Sequence, residues 1–93
     1  MIRADGAQEW YVDGLRHLLD GPAYIGADGT QEWYVDGLQH RLDGPAYIGA
    51  DGTQVWYVRG ENITDEVKVW MDKNAITYPF DPSTATLFRL TWG

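Results

Sequence analysis

Residues Ala27–Gly49 read ADGTQEWYVDGLQHRLDGPAYIG, and residues Ala4–Gly26 read ADGAQEWYVDGLRHLLDGPAYIG. The two 23-residue blocks differ at three positions, Ala7/Thr30, Arg16/Gln39 and Leu18/Arg41. A third copy opens at Ala50 with ADGTQVWYVRG and then departs. A fixed period without insertion means one structural unit set against copies of itself. The fold class therefore follows from reading a single block.

Within a block, Asp51-Gly52 reads as a two-residue hairpin turn between AYIGA and TQVWYV. Counting outward pairs Ile48 with Val55 and Tyr47 with Trp56. Opposed residues share a face, so Tyr47, Trp56 and Val58 fall together. The 23-residue spacing then predicts that Trp10, Trp33 and Trp56 stack on one buried face. Copies one and two carry Glu9 and Glu32 where the third carries Val55. A face that is wet in the early copies is thus expected to be buried at the third. After each WYV comes a short arc, such as Leu38–Arg41, whose pattern assigns it neither to strand nor to loop.

Residues 61–93 break the repeat. Thr64 is a good N-cap, Asp65 and Glu66 suit the first turn, and Ile63, Val67, Trp70 and Met71 share a stripe. A helix over 64–73 is predicted, covering Val55 through Val67 and Trp70. Pro79, Pro82 and Ser83 interrupt regular structure, and the alternation of Phe88, Leu90 and Trp92 predicts a final strand over 84–92. The expected architecture is a mainly β single domain. Residues 1–60 form an antiparallel meander of stacked hairpins, capped over 61–93 by one α-helix and a final strand.

Ninety-three residues with no Cys exclude disulfides and Cys-type zinc sites as staples, leaving five Trp, six Tyr and two Phe to supply buried area. No run approaches the ~20 apolar residues of a membrane span, and nothing resembles a signal peptide, so a cytoplasmic protein is expected. The net charge of −7 is uneven: residues 1–58 hold nine acids and three bases, residues 59–93 five acids and four bases. Such a surface repels nucleic acid and anionic membranes and attracts a basic protein. Seven of the nine repeat acids precede a Gly, and Asp-Gly is turn chemistry. Turn geometry therefore competes with any functional account of the acidity.

The period and the pattern ADG-x-x-x-WYxxG-x-x-H-x-x-x-G resemble MORN repeats. WYVDG-x-x-HRxDGPA, at Trp33–Ala46 and with Leu18 for Arg at Trp10–Ala23, resembles more closely the repeats of small bacteriophage and large-virus proteins. The resemblance covers residues 1–60. It implies an elongated meander of hairpins with a binding or scaffolding role, and it carries no catalytic residues across.

Catalytic patterns are missing. Ser83 is the only Ser and has no His near it in sequence, and the glycines are turn glycines rather than a phosphate loop. His17 and His40 share one repeat position and, with Asp20 or Asp43, give a weak metal pair that repetition explains equally well. No enzyme activity, metal or cofactor is expected. The expected function is a non-catalytic, acidic protein-binding module. Its sharper form is a phage-encoded inhibitor of a host nucleic-acid-targeting defence enzyme, of the anti-CRISPR or anti-restriction type. Its binding residues would be Asp13, Asp20, Asp36 and Asp43, facing a basic groove. The alternative is an assembly protein that forms homo-oligomers through its strand edges.

Overall fold

A computed structural model describes residues 1–93. Each copy contributes the same short strands. The first gives β1 (Gln8–Glu9), β2 (Tyr11–Val12), β3 (Leu15–Arg16) and β4 (Tyr24–Ile25). The second gives β5 (Gln31–Glu32), β6 (Tyr34–Val35), β7 (Leu38–Gln39) and β8 (Tyr47–Ile48). The third gives β9 (Gln54–Val55), β10 (Tyr57–Val58) and β11 (Glu61–Asn62), before helices α1 (Thr64–Lys73) and α2 (Pro82–Trp92). The fold is mainly β, with antiparallel hairpin sheets and two helices. The molecule measures 44 × 28 × 22 Å, and no helix is long and apolar enough to cross a membrane.

The strands form two ribbons. One is a five-stranded antiparallel sheet in the order β1-β4-β5-β8-β9. The other is a series of hairpins, β2–β3, β6–β7 and β10–β11. Backbone bonds join the hairpins: Gly37 N–H donates to Arg16 O at 3.0 Å and Gly60 N–H to Gln39 O at 2.8 Å. The arc after each WYV is thus a strand, because it returns on β2 and β6 and then bonds the next hairpin. Glu61 and Asn62 belong to the third hairpin rather than to the segment that caps it.

The two kinds of Asp-Gly behave differently, and this corrects the expected register. Opposed pairs are Tyr47↔Val55 and Ile48↔Gln54, one residue away from the pairing expected from the sequence. At Asp51-Gly52 only the glycine has positive φ, at 89°. Gly52 N–H closes a turn onto Gly49 O at 3.0 Å, and Gly49 N–H reaches Thr53 O at 2.8 Å. This is a three-residue loop whose last residue must be left-handed, which glycine adopts without steric cost. A one-residue shift exchanges the faces of a strand. Val55, Glu32 and Glu9 therefore share a face with Tyr47 and Tyr24, not with Ile48 and Ile25. Asp13-Gly14 and Asp36-Gly37, by contrast, have φ of 52° and 80° at their two residues and are the two-residue turns of β2–β3 and β6–β7.

The burial trend along the repeats is the reverse of the one expected. Glu9 is the buried member, 7% exposed, while Val55 is only half-buried. The Glu side chains face the position thirteen residues into each block. Arg16 Nη2 donates to Glu9 Oε1 at 2.8 Å, and Gln39 Nε2 to Glu32 Oε1 at 2.9 Å. The third copy has Asn62 there, one methylene shorter than the Gln39 that reaches Glu32, and Val55 opposite it. The Glu-to-Val change thus follows the loss of a polar partner rather than the arrival of a lid.

The apolar core lies at the C-terminal end. Trp56, Val58, Ile63, Val67 and Phe88 are buried together, with Leu42, Trp70, Met71, Tyr78, Phe80 and Trp92 packed around them. The Trp56 ring meets those of Tyr78, Phe80 and Phe88 at 5.5–5.7 Å. The predicted stack of three tryptophans is therefore replaced by a single anchor. Trp56 is 2% exposed, Trp10 and Trp33 are half-buried, and no ring pair joins the three. Trp33 instead carries the Arg41 guanidinium at 3.9 Å. Helix α1 covers Trp56 and Val58, not Val55.

Helix α1 has the predicted bounds, but Thr64 does not cap it. The N-cap position falls on Ile63. Thr64 Oγ1 accepts from Trp56 N–H at 3.0 Å and donates to Asn62 Oδ1 at 2.6 Å. In the earlier copies Ala23 O and Ala46 O accept the corresponding Trp10 and Trp33 N–H groups. The predicted final strand is α2. Asp81 Oδ1 accepts from Thr84 N–H at 2.8 Å and Pro82 stands in the first turn, where its missing N–H costs nothing. Phe88 and Trp92, four residues apart, then lie on one helix face against Trp70.

Candidate partner-binding surface

The seven repeat aspartates divide by what their carboxylates do. Asp5, Asp28 and Asp51 each accept the backbone N–H two residues on, at 3.0 Å. The Thr30 and Thr53 amides hold Asp28 and Asp51 below the usual carboxylate range. These acids are built into their turns.

Asp13 and Asp36 occupy hairpin tips, and their side chains accept no backbone hydrogen bond. The third tip holds Arg59 in the same left-handed conformation, with φ of 50°. The turn therefore does not require an acid. Asp36 is 78% exposed at its side chain. Its Oδ1 lies 3.3 Å from His17 Nδ1.

Asp20 and Asp43 lie in the arcs and are exposed. Asp43 accepts from Arg41 Nε at 2.8 Å, whereas Asp20 has Leu18 in place of that arginine. Arg41 also donates to Pro45 O at 3.1 Å. It presses on Gly44 so closely that a Cβ there would stand 2.7 Å from its guanidinium carbon. Arg41 is thus a structural strut, and its pairing with Asp43 offsets part of that acid's field. The four predicted residues are all on the surface, but only Asp13 and Asp36 repeat on one kind of element with uncommitted turn roles.

The two histidines tie the hairpins together. Asp36 N–H donates to His17 Nδ1 at 3.1 Å, and Arg59 N–H to His40 Nδ1 at 2.9 Å. Each imidazole accepts at Nδ1, which assigns the proton to Nε2. Burial, with the Arg59 charge adding to it, holds His40 below the ordinary histidine value. No cluster of three or more His, Cys, Asp or Glu side chains is placed to hold a metal. The histidines recur because each caps the next tip.

Beside the tips runs an apolar row that the sequence reading overlooked. Val12, Leu15 and Leu38 are each about half exposed, at 50%, 48% and 51%, with Val12 opposed to Leu15 across its hairpin. Leu15 lies over Gly37 and Leu38 over Gly60; a Cβ at either glycine would meet leucine Cδ2 at 3.3 Å. The leucines therefore lean from one hairpin onto the next and make the row continuous. Val35, Asp36, Leu38, His40 and Arg59 line a shallow groove of about 390 Å³ there. A legible signal existed: a leucine follows each of the first two tips at the same register, Leu15 and Leu38, and the tip glycine of the next copy, Gly37 and Gly60, stands twenty-two residues further on.

Comparison of the chain with protein-family models, curated proteins and solved structures finds no match.

Proposed function

We propose that this protein is a non-catalytic binding module whose hairpin tips and the apolar row beside them take a protein partner with a basic surface. We read the chain as a repeat-built meander that presents the same small epitope in successive copies. One observation carries this reading. The tip acids Asp13 and Asp36 leave their carboxylates free of turn duties, whereas Asp5, Asp28 and Asp51 do not. Leucines of the adjacent strands supply apolar area next to that charge. Acid beside half-exposed leucine is the composition of a contact that gains affinity from burial and approach rate from charge.

The sharper form of the reading is a phage-type inhibitor of a host nucleic-acid-targeting enzyme. An acidic tip row of net-negative sign occupies a groove that otherwise holds phosphates. The net charge of −7 supports this, and so does the resemblance of Trp33–Ala46 to phage repeats. Asp20 and Asp43 add to the field, with Asp43 partly offset by Arg41.

The experiment is affinity capture from a bacterial lysate, with the variant D13N/D36N as the paired control. The expected result is a basic protein retained by the parent and depleted with the variant, with binding that weakens as salt rises. Equal capture of the same proteins by both chains overturns the reading.

A further inference from the structure

We propose that the two ends of the five-stranded sheet are complementary, so that the Met1–Arg3 strand of one copy adds to the β9 edge of a second copy. The argument rests on register. In an antiparallel ladder, residues alternate between pointing their N–H and C=O at one neighbour and at the other. On β9, Gly49 N–H bonds Thr53 O, so the next pair bonded to β8 is Tyr47–Val55. Gln54 between them directs its N–H and C=O outward. At the far end Glu9 N–H bonds Met1 O at 2.7 Å and Arg3 N–H bonds Ala7 O at 2.6 Å. Ile2, bridged to Gln8, likewise directs its backbone outward.

The chain already contains this joint twice. Gln8 pairs with Ile25 and Gln31 pairs with Ile48. Met1–Arg3 aligns with Tyr24–Gly26 and Tyr47–Gly49. Gln54 against Ile2 of a second copy is the third member of the same series. Val55 then opposes Met1, and Thr53 opposes Arg3.

The side chains at the two ends fit each other. Met1 and Ile2 are 68% and 73% exposed. Tyr24 and Tyr47 stand beside Glu32; Met1 of a second copy would stand beside Val55, an apolar residue beside an apolar one. A shallow cavity of about 460 Å³ lies there, lined by Val55, Asn62, Thr64, Asp65 and Glu66. Arg3 would come beside the Asp51 turn, giving charge of opposite sign. Thr64 already satisfies the Trp56 N–H, so the joint needs no residues beyond Met1–Arg3. Because the two surfaces differ, the contact is head-to-tail. A step that repeats the internal one does not close, and it builds an open array.

Two variants test this, each blocking one end. In Ile2→Pro and Gln54→Pro the lost N–H points outward and serves no bond within the chain. Sedimentation of the parent should show mass rising with concentration above 10.5 kDa. Each variant alone should stay at that mass, with the tryptophan fluorescence of the folded parent. An equimolar mixture should give a 1:1 dimer and nothing larger, since each variant retains the end the other lacks. A second measurement needs no variant. Amide exchange at Ile2 and Gln54 should slow as parent concentration rises, while Val55, bonded within the chain, should not change. A parent that stays monomeric overturns the proposal, and so does a variant that associates as the parent does. Concentration-independent exchange at Ile2 and Gln54 overturns it as well.

Discussion

The backbone N–H of Arg59 donates to Nδ1 of His40 at 2.9 Å, across nineteen residues and one hairpin boundary. The bond needs a neutral imidazole, since a protonated ring has no acceptor at Nδ1. Burial and the Arg59 charge both disfavour the proton and lower the folded pKa below the ordinary histidine value of 6.5. The unfolded chain therefore binds the proton more tightly, and stability rises with pH through this window. The His40 contribution is complete above the unfolded value and is lost as pH falls from 6.5 through the lower folded value. Asn at position 40 offers an acceptor oxygen and does not titrate. Thermal melts between neutral pH and pH ~5 should show a smaller decline for H40N than for the parent. An identical decline would remove His40 as the cause.

The second prediction concerns where stability resides. Trp56→Ala should cost about 3–5 kcal/mol, because Trp56 is 2% exposed among three aromatic rings. Phe88→Ala should fall in the same range, since Phe88 is fully buried. Trp10→Ala should cost markedly less, since that indole is half-buried and far from the aromatic cluster. Denaturant midpoints at constant slope would measure the difference. Equal losses at positions 10 and 56 would show that the repeats share one core.

This contrast shows what the sequence made legible. The period, the hairpins and α1 were all readable, because identical blocks and a 3.6-residue stripe are local signals. The register at Asp51-Gly52 was not. Two turn types share that dipeptide, and which one forms depends on whether the aspartate side chain bonds Thr53 N–H. That single residue of slip carried with it the placing of Val55 and of the tryptophans. The C-terminal helix was misread because Leu90 alternates with Phe88 and Trp92. Asp81-Pro82 is a helix start as much as a break, and the Phe88–Trp92 spacing fits a helix equally well. Of the site, the acids were visible and the leucines were not. Their role depends on a glycine one repeat away.

A third prediction uses the repeats as each other's controls. Burial pushes the Glu9 carboxyl up, but the Arg16 hydrogen bond and charge, with Arg3 adding to them, bring it below the usual carboxylate range. Its stabilising contribution is thus present above the unfolded value of 4.5 and is lost as pH falls through the lower folded one. Glu9→Val alone should destabilise, because Arg16 loses its 2.8 Å partner. Glu9→Val with Arg16→Asn reproduces the Val55/Asn62 pair of the third copy. The double variant should recover part of the loss, giving a non-zero coupling in a double-mutant cycle. Strict additivity would mean that the two residues do not act as a pair.

The last prediction separates acids that hold turns from acids available for contact. Arg59 already sits at the third hairpin tip with φ of 50°, so arginine is compatible with that turn. Asp13→Arg and Asp36→Arg should therefore melt close to the parent, and together they turn the tip row from acidic to basic. Asp28→Arg should behave differently. It removes the acceptor of Thr30 N–H and leaves a loop amide without its partner. It should lower stability while leaving the tip charges in place. A basic partner recovered by capture should then lose affinity for D13R/D36R at low salt and bind the folded fraction of D28R as it binds the parent. The difference between the two variants should shrink as salt screens the tips. If D13R/D36R binds such a partner unchanged, the contact lies elsewhere, and charge at the tips has no part in it.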